Sequence, residues 1–200
     1  DAGVLAEEAV AFITGRTSIG SGERELAVVL FTDLVDSTSR AAATGDAVWR
    51  STLDRYELML GRSVERHRGT VVKHTGDGAL ATFTSTTMGL RAARDLHNIA
   101  ADLGLEARTG LHVGEVEIRE RDVGGIAVHL AARVMDRAGA GEVVVSSTVV
   151  DASLGSGFGF NPLGSHPLKG ISGEWDLFEL ASPLTRAGGF SLKRLRRTQG

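Results

Sequence analysis

Leu26-Ala27-Val28-Val29-Leu30-Phe31-Thr32-Asp33-Leu34-Val35-Asp36-Ser37-Thr38 decides how this chain is read. Its opening run to Thr32 is apolar and partly β-branched, which suits a buried strand. Asp33 ends that strand, and Ser37 and Thr38 can cap a following helix. Free backbone N–H groups at such a helix start favour phosphate oxygens, so Leu34, Val35, Asp36, Ser37 and Thr38 are candidate phosphate contacts. An acid beside them can hold a Mg²⁺ ion that touches the same oxygens. On these residues alone, Asp33 or Asp36 serves equally well as a plain helix cap.

Working outward, Gly45 breaks or kinks that helix. From Asp46 to Arg66 the apolar positions Trp49, Leu53, Tyr56, Leu60 and Val64 recur at helical spacing, and Gly69 stops the run. Thr70–His74 and Ala79–Thr84 read as hairpin strands around the turn Thr75-Gly76-Asp77-Gly78. Thr86–Leu103 predicts a helix with Ala92, Ala93, Leu96, Ile99, Ala100 and Leu103 inward, closed by Gly104. Ala107–Ile118 reads as a long strand or bent pair, Ile126–Ala138 as a third helix and Glu142–Ser146 as a buried strand. Phe158–Leu180 predicts two or three short strands with a turn at Lys169-Gly170. Residues 4–14 carry an amphipathic helical pattern, and residues 15–22 read as a Gly- and Ser-rich linker.

The chain thus divides into a lead-in (1–24), one domain (25–181) and a basic flexible tail (182–200). The order of elements predicts an α+β fold, a ferredoxin-like βαββαβ core with added C-terminal strands. Helices are expected on one face of a mainly antiparallel sheet.

The 200 residues are 42% hydrophobic, enough for one domain with a real core. A net charge of −3 gives no bulk attraction to nucleic acid or an anionic membrane. Cysteine is absent, which excludes disulfides, thiolate metal sites and a Cys nucleophile, and points to a reducing cytoplasm. No segment approaches the roughly 20 apolar residues of a membrane span. Nothing after Asp1 reads as a signal peptide. The sequence is compatible with a piece of a longer protein carrying further domains.

Asp77 lies 44 residues after Asp33. An Asp between glycines in a hairpin turn is commonly structural. A hairpin strand lying beside the first strand would, however, bring it next to Asp33. Two close carboxylates repel unless cations bind between them. Two metals about 3.5–4 Å apart are a usual way to activate an attacking oxygen and steady a leaving phosphate.

These motifs, in this order and spacing, resemble the class III nucleotide cyclases over about Leu26–Leu180, and in particular the adenylyl cyclases. The resemblance implies that Asp33 and Asp77 hold two divalent metal ions, Mg²⁺ or Mn²⁺. It implies an adenylyl cyclase turning ATP into 3′,5′-cyclic AMP and pyrophosphate. Lys73 and Asp122 would select the purine. Lys donates to a ring nitrogen and Asp accepts from adenine's exocyclic amine. Guanine's carbonyl would instead face the carboxylate, acceptor against acceptor. Without the resemblance, Lys73 is a solvated edge-strand residue.

His129 and Arg133, four apart on the third helix, share a face. The resemblance puts Arg133 on the triphosphate as charge develops. His129 stands where the family commonly has Asn, a ribose-holding residue. A His keeps one donor and adds titration near neutral pH. Arg108 and Lys169 match cations that reach the phosphates. The plain alternatives are Arg133 paired with Asp136 and Lys169 as a turn lysine.

The resemblance further implies a head-to-tail homodimer with sites at the interface. Asp33, Asp77 and Arg108 would come from one subunit, and Lys73, Asp122, His129, Arg133 and Lys169 from the other. Two alternatives stand beside this reading: a weakly active or inactive nucleotide-binding regulatory module, and a cyclase of mixed ATP/GTP specificity. No Walker-type loop or nucleophile elbow is present, and the dispersed histidines form no hydrolase constellation.

Overall fold

The structure is a computed structural model and describes residues 23–119 and 122–181. The expected N-terminal helix, its linker and the basic tail lie outside the described residues, apart from the border of the lead-in at Glu23 and Arg24. The elements run β1 (Arg24–Leu34), α1 (Ser37–Thr44), α2 (Asp46–Arg66), β2 (Gly69–His74), β3 (Gly78–Phe83), α3 (Thr86–Asp102), β4 (Ala107–Arg119), β5 (Asp122–Gly124), α4 (Ile126–Met135), β6 (Val143–Ser146), α5 (Ser147–Ala152), β7 (Phe160–Pro167) and β8 (Glu174–Leu180). The βαββαβ core and the added C-terminal strands are therefore present, as the sequence predicts.

The strands form one sheet in the order β2-β3-β1-β4-β6-β8-β7, with β5 folded back onto β4. Only β4 and β6 run parallel; the other described pairings are antiparallel. Strand β1 sits near the middle, paired over its length with β4 and over its second half with β3. That register sets Asp33 opposite Arg108 on one side and opposite Gly78 on the other. A Cβ at Gly78 would collide with the Thr32 carbonyl, so glycine there allows the close approach of the hairpin turn.

The alternation of β1 divides the core. Val28 and Leu30 face Tyr56, Leu60 and Val64 of α2, Leu90 and Leu96 of α3 and Val149 of α5. Val29 faces the other way, onto Ala127 and Ala131 of α4. Leu130 and Val134 of the same helix pack on Val144 and Leu177. This corrects the expectation of helices on one face only, since α4 covers the second face. Its approach depends on Gly110, where a Cβ would run into the Met135 backbone. Each large apolar side chain buried in these layers contributes on the order of 1.5–3 kcal/mol.

The start of α1 also differs from the reading that Ser37 and Thr38 cap it. Asp36 is the N-cap, in the left-handed region at φ 57, and no side chain closes the cap. Ser37 and Thr38 lie inside the helix. Gly45, at φ 85, divides α1 from α2 as expected.

Candidate active site

Strand pairing assembles the first cluster. Asp33 is the last residue but one of β1, and the β2–β3 turn carries Asp77 beside its carboxyl. Arg108, the cross-strand partner on β4, donates from Nη2 to Asp33 Oδ2 at 2.8 Å. The Asp33 carboxyl titrates above the usual aspartate range. Burial is the main cause; the Arg108 hydrogen bond opposes it, and the adjoining Asp77 carboxyl adds to it. Two acids pressed together, one partly buried, with a single guanidinium against them, form a donor set suited to divalent cations. Among the described residues no group of three or more His, Cys, Asp or Glu gathers for a metal, so additional ligands would come from backbone or substrate oxygens.

Beside this cluster lies the α1 start. The first intrahelical bond runs from the Arg40 N–H to the Asp36 carbonyl, so the Ser37 and Thr38 amides precede it. Val35 departs from the expectation, because its N–H donates to the Glu106 carbonyl at 2.8 Å and is not free for a phosphate. Leu34 is paired with Ala107 in the sheet and its side chain is buried.

Lys73 and Asp122 form a second cluster. Lys73 Nζ donates to both Asp122 carboxyl oxygens, at 2.9 and 2.8 Å, and the Val123 amide donates to Asp122 Oδ1 at 2.9 Å. These bonds, Lys73's first, hold the Asp122 carboxyl below its ordinary range. Both side chains remain about half exposed, at 47% and 46%. Asp122 stands on the rim of a groove of about 560 Å³ whose wall includes Ala27, Val72, Val116, Ile118 and Val123. The groove lies beside the part of the sheet face that α4 covers.

A third cluster sits at the C-terminal end of α4. Arg133 Nη1 donates to Asp136 at 2.8 Å, and Nε donates to the Lys169 carbonyl at 3.1 Å. The plain pairing of Arg133 with Asp136 is therefore present in the single chain. Lys169 lies exposed in the β7–β8 turn, and His129 is exposed one turn before Arg133. No side-chain hydrogen bond among the described residues joins the three clusters.

Sequence reading missed the support beneath Asp33. The Thr32 hydroxyl, 1% exposed, accepts from Thr109 Oγ1 at 3.0 Å and reaches the Arg108 carbonyl at 3.3 Å. Thr109 Oγ1 in turn meets His97 Nε2 at 3.0 Å. Burial lowers the His97 pKa, partly offset by the Gly141 backbone. Tyr56, read as a core position, brings its hydroxyl to the same place. Burial pushes that phenol up to about 12; Thr32 lowers it, and the charges of Asp33 and Asp77 raise it. The available signal was three polar side chains in otherwise apolar patterns.

No family model matches this chain. Among curated proteins, it is 27% identical over 157 residues to a putative adenylate cyclase of Rhizobium meliloti, covering 74% of this chain and 27% of that protein. It is 31% identical over 130 residues to an uncharacterized protein of Mycobacterium tuberculosis strain H37Rv, covering 62% and 45%. The chain thus spans less than half the length of these curated relatives. Among solved structures, the adenylyl cyclase CyaB from P. aeruginosa superposes with a TM-score of 0.77 at 17% identity, over 83% of this chain and 98% of the other. The guanylyl cyclase Cya2 gives 0.74 at 20%, over 83% and 96%. An adenylate/guanylate cyclase/hydrolase from Silicibacter pomeroyi gives 0.70 at 26%, over 80% and 99%.

Proposed function

We propose, from the premise that this chain belongs by its fold to the class III nucleotide cyclase catalytic domains, that it is an adenylyl cyclase. It converts ATP to 3′,5′-cyclic AMP and pyrophosphate at sites shared between two head-to-tail copies. The observation that carries the reading is the meeting of the Asp33 and Asp77 carboxyls at the C-terminal end of the central strand β1, beside a helix N-terminus and Arg108. Asp33 and Asp77 would hold two divalent ions, Mg²⁺ or Mn²⁺, which when bound favour ionisation of the ribose 3′-hydroxyl and offset charge on the leaving pyrophosphate. Burial, and after it the adjoining Asp77 carboxyl, raise the Asp33 pKa, and a cation between the two acids would offset both.

The chain's own residues then bind and orient. Arg108, paired with Asp33 in the free protein, is positioned to turn to the phosphates once the acids have other partners. The Ser37 and Thr38 amides add donors at the positive end of α1. Lys73 and Asp122 favour adenine, since the pair presents one donor and one acceptor side by side. Arg133 and Lys169 neutralise developing charge, and His129 supplies one hydrogen bond to the substrate. The groove beside Asp122, with exposed Ile118 on its wall, supports the second copy's docking there.

Mixing Asp33→Ala with Lys73→Ala tests the shared site. Each variant alone is expected to be inactive, and the mixture to regain cyclic AMP synthesis. No recovery from demonstrated mixed dimers, with an active wild type, would defeat the model. Supplying ATP and GTP separately decides the base. A weakly active regulatory module is the second reading, favoured by Arg133's engagement with Asp136 and the Lys169 carbonyl. Wild-type protein that binds ATP with Mn²⁺ but forms no cyclic nucleotide would support it.

A further inference from the structure

His112 stands opposite Val29 in the β1–β4 ladder, on the sheet face that α4 covers. It is 5% exposed, and the proposed reaction gives it no part. One ring nitrogen is firmly held. Nδ1 lies 2.9 Å from Ser146 Oγ and 3.2 Å from Thr148 Oγ1, and those hydroxyls are 2.8 Å apart. The other nitrogen, Nε2, makes no hydrogen bond among the described residues.

Nε2 borders a cavity of about 520 Å³. Small-molecule pockets run from roughly 300 to 1,000 Å³. The cavity lies on the β8 side of α4, whereas the groove beside Asp122 lies on its β2 side. Ala127 and Leu130 of α4, Val116 of β4 and Trp175 of β8 supply its apolar walls. The Trp175 ring stands edge-on to His112 with centroids 6.0 Å apart, and its indole N–H donates to the Ser172 carbonyl at 3.3 Å. Gly114 keeps the approach clear. A Cβ there would stand 3.0 Å from Nε2 and 2.9 Å from the Ala127 methyl.

Counting hydrogens shows what Nε2 offers. Burial lowers the His112 pKa to about 4, so at neutral pH the ring is uncharged and carries one hydrogen. If Thr148 donates to Ser146 and Ser146 donates to Nδ1, both hydroxyl hydrogens are used. If Nδ1 donates to Ser146 and Ser146 to Thr148, the Thr148 hydrogen has no acceptor among the described residues. The ring hydrogen therefore sits on Nε2, a single side-chain donor among apolar walls. The rim adds little net charge, since Arg24 and Glu115 are opposite in sign and Glu117 is paired with Arg119 at 3.2 Å.

We propose that this cavity binds an uncharged, flat ring compound that presents one acceptor, a ring nitrogen or a carbonyl oxygen, to His112 Nε2–H. Its ring packs against Trp175 and Leu130. An ion would lose hydration against these walls with no opposite charge to replace it. Water is the plain alternative occupant, but a firmly held water needs two to four polar partners, and the cavity walls offer one side-chain donor. The site is separate from Asp33 and Asp77 and does not rest on the cyclase reading.

The experiment titrates the full, ¹⁵N-labelled chain at neutral pH with quinoline, a flat, uncharged bicycle with one ring-nitrogen acceptor. Nitrogen-detected histidine spectra should show His112 protonated at Nε2 before addition. Quinoline should shift that signal and the Trp175 indole N–H saturably; Trp49→Phe identifies the latter, since the chain has two tryptophans. 1-Methylquinolinium, its acceptor blocked and its ring charged, should bind at least about threefold to tenfold more weakly, the range for one neutral hydrogen bond. Gly114→Ala should abolish quinoline binding by filling the approach to Nε2. Trp175→Leu, which removes a wall but adds no atoms near the strand, should weaken it severalfold, and thermal melting checks that each variant is folded. Shifts that never saturate leave the cavity to water and overturn the proposal. A proton found on Nδ1, quinolinium binding as tight as quinoline, or undiminished quinoline binding in folded Trp175→Leu overturns it as well.

Discussion

At the scale of single residues, the acidic pair holds the fold under tension. The Asp33 carboxyl titrates high despite its bond to Arg108, so burial and Asp77 outweigh the arginine. Asp77→Asn, which leaves the Arg108 bond in place, should raise the melting temperature in a chelating buffer and abolish cation-dependent activity. Differential scanning calorimetry with and without Mg²⁺, alongside an activity assay, checks both halves. His112 gives a pH test far from these acids. Its Nδ1 lies 2.9 Å from Ser146 Oγ, and burial lowers its pKa from 6.5 to about 4. The unfolded chain takes up that proton first as pH falls, so this stability is present above about pH 6.5 and is lost toward pH 4. About 2 kcal/mol should disappear by about pH 5, and His112→Gln should flatten the decline in denaturant titrations. Asp33 and Asp77 were legible in the sequence because a strand end and a Gly-flanked turn are local patterns. The Thr32–Thr109–His97 chain was not, because a threonine in a strand looks the same whether its hydroxyl meets water or another hydroxyl.

At the scale of elements, helix α4 is the piece that positions most. It carries His129 and Arg133 and lies against the second face of the sheet, with Val29, Val116 and Val144 beneath it. Gly110→Ala should lift it, since the added methyl meets Met135 backbone that cannot turn aside. A loss of about 1–3 kcal/mol is expected, read by urea unfolding, with activity falling alongside. The helix itself was legible from its periodicity, but the face it covers was not. Ala127, Ala131 and Val134 show that it packs inward without showing which side of the sheet receives it. Strand β5 and helix α5, three and six residues long, were missed because so few positions establish no period.

At the scale of the whole molecule, the groove beside Asp122 gives the test of assembly. Ile118, 38% exposed, lines it together with Val116 and Val123. Under the proposed function, Ile118→Asp should weaken the dimer and lower activity per chain, recovering as concentration rises; sedimentation and rate measured over the same dilution series check this. The curated relatives extend well beyond the aligned part. The opposition of Asp33 to Arg108 across β1 and β4 has an evolutionary consequence. Inserting or deleting one residue between Val28 and Asp33 would turn the acid to the opposite side of the sheet, toward the side occupied by α2 and α3. Descendants of this sequence are therefore free to lengthen their connecting loops, while the residue count of this central strand stays fixed.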